Sequence, residues 1–435
     1  MKGYLEKLSK ILLFLFLFLI PTQLGRHFWF DWSFILGIKI DYLSPTLYLI
    51  DLIWLGLFIL NLKTPLSINQ DTRLQKLSLQ RLRAGLPLKK GEVFLKVLFG
   101  IFVLINILIA VNKPVAIYGW LRIFQTGWMV WFLSKNKKIV NYFLIKIISI
   151  WIILESGLAI GQISKGGSLN GIWWWLGERS FDFNTIGIAQ MSVAGSGLIR
   201  AYGTFSHPNS LAGFLLVALI WWIKIKPTLP SLEKGGLKNI YWWIVGWLGL
   251  VGILLTGSRT IWAMTLVVLI WFLGKSFKEI KNRWKSGILI LILLVFIFKV
   301  VDFNYPIGGF LSGWDENGLL KRGQLNLAAL QMIKVSPIFG VGMKNFLVNL
   351  PEFQKNNQIF WLQPVHNILL LLVSEIGLLG LVIITWLLAR WWKFKKWAKE
   401  DLLIIGVIIL SGMMDHYWLT LPQNMWLLAL VIGVM

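Results

Sequence analysis

The stretch "HNILLLLVSEIGLLGLVIITWLLARWW", His366 to Trp392, decides the fold. After two polar residues it runs apolar to about residue 389, with Glu375 its one carboxylate. Some 20 apolar residues wound as a helix match the roughly 30 Å hydrocarbon core of a bilayer. A membrane strand needs strict alternation, which this run lacks. A helix closes all its backbone hydrogen bonds internally, and lipid offers no other partner. The stretch therefore reads as a transmembrane helix that starts at a polar "HN" pair.

Similar runs lie near residues 8–24, 42–61, 94–112, 114–134, 139–163, 208–225, 240–256, 259–274, 286–301, 402–418 and 424–435. The expected fold is all-α: a polytopic membrane protein with about twelve transmembrane helices and a long extracytoplasmic loop of short helices. Five segments follow. Residues 1–163 form N-terminal spans, 164–207 a first outer loop and 208–301 central spans. Residues 302–365 form a large outer loop and 366–435 the last spans. Residues 31–40 read as a re-entrant or interfacial piece.

Composition agrees. Hydrophobic residues make up 57% and charged ones 14%, and mean hydropathy is +0.71. A soluble domain of ordinary composition carries more charge. The net charge of +24 comes from Lys and Arg concentrated in short loops between apolar runs. That is the pattern of cytoplasmic loops, so the N-terminus is placed inside and the two long loops outside. No basic soluble domain is present to bind nucleic acid. The basic amphipathic segment 62–92 suits anionic membrane lipids. The N-terminal apolar run lacks a small-residue cleavage site and reads as an uncleaved span. With no cysteine, thiolate metal sites and Cys nucleophiles are excluded.

Chemistry-bearing residues gather on the outer side: Arg200 and His207 at the end of the first loop, Arg259 after Ser258 at a turn, Arg322 in the large loop, and His366. Each has a structural reading. Arginines at helix ends reach headgroups. "HPNS", with His207 and Asn209, suits a helix start, and Ser258 suits a cap. His366 suits an interfacial position, and His416 packs beside Asp415. Together they suggest more. Guanidinium groups bind diphosphate oxygens, and a histidine near neutrality takes a proton from a hydroxyl. The outer segments show no carboxylate pair, and the histidines lack metal-ligand spacing in sequence. A metal-free, cofactor-free mechanism is the simpler expectation.

"RAYGTFSHPNSLAGFLL", "LLTGSRTIWAM", "SPIFGVGMKNF" and "HNILLLLVSEIGLLGL" follow in that order. The set resembles the O-antigen ligase and O-antigen polymerase superfamily of bacterial membrane glycosyltransferases, over roughly residues 160–420. The resemblance implies transfer of a glycan from a polyprenyl-diphosphate donor to an acceptor hydroxyl at the outer face of the cytoplasmic (inner) membrane. The acceptor is a glycan, a lipid or a protein, and the reaction is inverting and needs no metal. It implies that Arg200 and Arg259, with Arg322, hold the diphosphate, and that His366 is the general base with Asn367, Asn209 and Ser258 in support. Ligase and polymerase readings both stay open. The alternative is a transporter or flippase of lipid-linked sugars, which would use Arg122, Lys146, Glu155 and Glu375 inside the spans. There Glu155 and Glu375 could pair.

Overall fold

The computed structural model describes residues 2–63, 90–193, 196–225, 237–277, 316–354, 361–393 and 397–435. The expected span 286–301, most of segment 62–92 and residues 302–315 of the large loop lie outside the described residues.

The chain is mostly helical. Its helices are α1 (Lys2–Phe18), α2 (Leu49–Lys63), α3 (Lys90–Ile109), α4 (Lys113–Lys135), α5 (Lys137–Lys165), α6 (Pro208–Ile225) and α7 (Leu237–Leu255). They continue with α8 (Arg259–Phe277), α9 (Glu316–Val335), α10 (Phe346–Phe353), α11 (Ile368–Lys393), α12 (Lys399–Gly412), α13 (Tyr417–Thr420) and α14 (Pro422–Val434). Local sequence explains several ends. Asn112 Oδ1 accepts the Val115 N–H at 3.2 Å to start α4, with a proline in the first turn. Gly166, at φ 72°, ends α5 in the left-handed region.

Among the described residues, three helices are long and apolar enough to cross a membrane: Lys137–Lys165, Pro208–Ile225 and Ile368–Trp392. Shorter apolar helices cover Leu49–Leu62, Val97–Ile109, Ile240–Leu255, Arg259–Phe272 and Pro422–Val434. Among the described residues, the expected runs thus give three helices long and apolar enough to span, with further helices that fall short of that length or hydropathy. α6 is buried along nearly its whole length, with α5, α7 and α12 against it. The second half of α11 instead presents Val382 (60% exposed) and Trp386 (41%) outward, an apolar face suited to lipid.

Three expectations are corrected, and a fourth segment, 31–40, is given its form. The fold is not purely helical: β1 (Gly25–His27) pairs with β4 (Thr46–Tyr48), β2 (Phe34–Ile35) with β3 (Ile38–Lys39), and β5 (Gln190–Val193) with β6 (Ser196–Ile199), all antiparallel. Residues 31–40 are a 3₁₀ turn followed by the β2–β3 hairpin. The large outer loop holds a 20-residue helix, α9, and not only short ones. The run 402–418 does not continue as one helix. α12 stops at Gly412, and residues 413–416 unwind before α13.

α11 is itself broken. Gly377 has φ 67° and ψ −177°, a conformation open essentially to glycine alone. The "SPIFGVG" loop fills the break. Leu378 and Leu379 N–H donate to Pro337 O (2.8 Å) and Ile338 O (3.1 Å). Val341 and Gly342 N–H donate to Ser374 O (2.8 Å) and Glu375 O (3.0 Å). The buried Asn106 amide of α3 donates to Phe339 O (2.8 Å) and Glu375 O (2.9 Å). Backbone groups freed by the break therefore find partners within the protein, as the interior of a membrane protein requires.

Candidate functional site

The site is built on the backbone of residues 200–204. From α5, Gln162 Oε1 accepts the N–H groups of Tyr202 (3.0 Å) and Gly203 (2.8 Å). Glu155 accepts from Thr204 through its N–H (3.0 Å) and its hydroxyl (2.8 Å). Gly203 sits at φ 57°, and a Cβ there would lie 2.3 Å from Glu155 Oε2, so only glycine fits. Ala201 N–H donates to Leu255 O at 2.9 Å, joining this segment to the end of α7. Glu155 thus holds the loop and does not pair with Glu375, whose Oε1 accepts from the Tyr42 hydroxyl at 3.1 Å.

This frame positions Arg200. Its Nε donates to Thr256 O at 2.6 Å and its Nη2 to Asn209 Oδ1 at 2.5 Å. Asn209 in turn donates from Nδ2 to Asp415 Oδ2 at 2.9 Å. Asp415 Oδ1 accepts the His416 N–H at 2.7 Å, and the His416 and His366 rings meet edge to face with centroids 5.3 Å apart. His207 Nδ1 accepts the Asn209 N–H at 3.2 Å. One chain of contacts therefore runs from Arg200 through Asn209 to Asp415 and two histidines. Arg259 lies near enough to Arg200 to bear on its charge, and Lys321 and Arg322 bear likewise on His366.

The supporting residues divide. Asn209 is a bridge at the centre of the cluster. Asn367 caps α11: its Oδ1 accepts the Leu370 N–H (3.1 Å), and its Nδ2 donates to Met413 O (3.3 Å) in the unwound segment. Ser258 stands at the start of α8, where its carbonyl accepts the Trp262 N–H at 2.8 Å. Sequence reasoning gave Asp415 and His416 only a packing role and passed over Lys321 as a site member. The signal for the first two was the "DH" pair inside an apolar run, an expensive place for ionisable groups.

The protonation states follow from burial. All these groups lie in the loops and turns between helices, apart from Arg259 at the first residue of α8 and those on α9. Burial lowers the Arg200 guanidinium to about 10, with Tyr202 and Asp415 opposing and Arg259 adding to the fall. It stays charged at neutral pH. Burial pushes His366 down to about 3 and His207 to about 4, against the pull of Asp415, and also lowers His416. Burial alone would raise Asp415; the neighbouring histidines and the Asn209 amide hold it at about 2. At neutral pH the site is an ionised carboxylate among neutral imidazoles, ringed by cations. Among the described residues, His366 Nδ1 is buried with no hydrogen-bond partner.

The histidines' wide sequence spacing conceals a cluster. His366, Asp415 and His416 each bring a ligand atom within 4.8 Å of the others, a donor set of a type that metals accept. The nearby cations Arg200, Lys321 and Arg322 oppose a divalent ion there and favour an anion.

The groups expected inside the spans lie elsewhere. Arg122 pairs with Asp51 (Nη1–Oδ1 2.6 Å) and, with Lys344 and Glu375, lines a separate cavity. Lys146 reaches the Tyr142 hydroxyl at 3.0 Å on an exposed face.

Two comparisons bear on this arrangement. Residues 244–385 match the family model described as O-antigen ligase, a segment that includes Arg259, Arg322, His366 and Asn367. The chain is also 26% identical over 254 residues to the General O-oligosaccharyltransferase of Acinetobacter baylyi (strain ATCC 33305 / BD413 / ADP1). That match covers 54% of this chain and 42% of the relative, so the chain spans less than half of that protein's length. Arg200, Asp415 and His416 fall outside the family segment and complete its cluster in space. The resemblance drawn from the four ordered motifs is the one these matches support: residues 244–385 of this chain are similar to the O-antigen ligase family.

Proposed function

We propose that the protein is a membrane glycosyltransferase that joins a polyprenyl-diphosphate-linked glycan to an acceptor hydroxyl at the outer face of the cytoplasmic membrane. The observation that carries this reading is the contact chain Arg200–Asn209–Asp415–His416–His366, with Arg259, Arg322 and Lys321 about it. It sets a cationic wall beside a neutral imidazole whose Nδ1 has no hydrogen-bond partner among the described residues. The similarity to an O-antigen ligase family and to an oligosaccharyltransferase supports glycan transfer as the reaction class.

The step is a single displacement. His366 takes the proton of the acceptor hydroxyl as its oxygen bonds to the anomeric carbon. The bond from that carbon to the diphosphate oxygen breaks on the opposite face, so configuration inverts. The departing electron pair gathers on the diphosphate, where Arg200, Arg259 and Arg322 stabilise it. Asn209 fixes the Arg200 fork and Asp415 together, leaving Nη1 of Arg200 for the ligand. A metal is not needed for this charge, since three guanidinium groups already meet it.

The test uses purified full-length protein in liposomes with a polyprenyl-diphosphate oligosaccharide and hydroxyl acceptors, in the presence of a chelator. New glycosidic product that fails to form with Arg200→Ala, Arg259→Ala and His366→Ala is expected. Full turnover in all three variants would overturn the assignment. Movement of the donor across the bilayer with no new bond would replace it by transport.

A further inference from the structure

A polar cavity lined in part by Leu419 and Thr420 of α13 lies next to the histidine cluster. The two are joined by one contact: His416 Nδ1 lies 2.7 Å from the hydroxyl of Thr420, and Thr420 lines the cavity. Its volume is about 60 Å³. A buried water needs roughly 10–15 Å³ measured this way, so the space holds a group of about phosphate size. The cavity is partly open, so a larger remainder of a ligand has room outside it.

Its wall carries both signs of charge. Arg122 is neutralised by Asp51 and bonded to the Tyr118 hydroxyl (3.1 Å), Gln125 Oε1 (3.0 Å) and Thr46 O (2.9 Å). Lys344 is different. Its Nζ stands over the rings of Tyr42 (4.3 Å) and Tyr118 (4.6 Å), and among the described residues it makes no hydrogen bond or ion pair. Two π faces hold the cation but fill none of its three N–H donors. Its backbone is held at φ 57°, a region uncommon outside glycine. The fold thus fixes an ammonium whose donors lack an acceptor. Glu375 and Asp41 supply acceptors on the same wall.

We propose that this cavity is a ligand subsite for an acidic sugar: Lys344 takes its phosphate or carboxylate, while Glu375 and Asp41 accept its hydroxyl protons. A neutral sugar would leave Lys344 unmet, and a bare anion would face two carboxylates with no proton to offer them. Under the proposed transfer, on which this further role rests, the occupant belongs to the acceptor, and Thr420 and then His416 link it to the base, His366.

The experiment reads binding, so it does not depend on turnover. Full-length protein carrying Arg200→Ala and Arg259→Ala, which removes the other anion site, is set in phosphatidylcholine nanodiscs. Glucose 1-phosphate, inorganic phosphate and glucose are titrated by calorimetry. Glucose 1-phosphate is expected to bind about tenfold or more tighter than either of the others, and Lys344→Met to lose that margin while Lys344→Arg keeps most of it. Equal binding of glucose and glucose 1-phosphate overturns the proposal without recourse to a variant. So does a margin unchanged in a folded Lys344→Met protein. If phosphatidylglycerol in the nanodisc displaces glucose 1-phosphate, the occupant is a lipid headgroup and the sugar assignment falls. Absence of transfer activity in the unsubstituted protein, with binding intact, would count against the transfer reading alone.

Discussion

At the scale of single residues, burial sets the chemistry. Arg200 is held by two of its nitrogens, so its geometry matters as well as its charge. Arg200→Lys keeps the charge and loses the bonds to Thr256 O and Asn209. It should lower turnover by about a hundredfold, with thermal stability measured alongside to show that the protein is folded. His366→Ala should cost about a thousandfold, within the range for a lost general base. The pH dependence has a definite sign. His366, His207 and His416 all have folded pKa values below that of a free imidazole. Below about pH 6.5 the unfolded chain therefore binds protons that the folded site refuses, and stability falls as pH drops toward 4. Melting temperature should decline across that window, and His207→Asn should flatten the decline. The same shift predicts that the acid limb of the kcat/KM profile lies well below pH 6.5, where a solvent-exposed histidine base would titrate.

Helices and loops act here by interruption. α11 breaks at Gly377 to admit the 336–342 loop, and α12 ends early so that 413–416 can unwind against Asn367. A Cβ at Gly377 would sit 2.2 Å from Ile338 O, on top of a strained backbone angle. Gly377→Ala should destabilise by about 3 kcal/mol, read as a drop in thermal unfolding temperature, whereas Gly406→Ala, in the open middle of α12, should be near neutral or better. Such interruptions explain what the sequence hid. The run 402–418 is apolar enough to suggest a continuous helix, because hydropathy reports average polarity and not where hydrogen bonds stop. Asp415 and His416 become site residues only because the helix ends before them. The β5–β6 pair was equally hidden, being short and glycine-rich.

For the whole molecule, the apolar runs were legible and their ends mostly so: α5, α6 and α11 fall within a few residues of the runs read from hydropathy. Arg200, Arg259, Arg322 and His366 were legible as residue types, and their charges bear on one cluster. Their connection through Asn209 and Asp415 was not, since it joins segments more than 200 residues apart. Chelation should leave transfer intact if the cationic wall alone meets the leaving charge, measured as product formed with and without a strong chelator. One feature reaches across these scales. The four hydrogen bonds that stitch the 336–342 loop into the break of α11 make one structural unit of a loop and a transmembrane helix. Their amide hydrogens should exchange with solvent together and slowly, opening as a block. The loop that follows α9 is then anchored to the bilayer through the helix it completes, and it turns only when that helix turns.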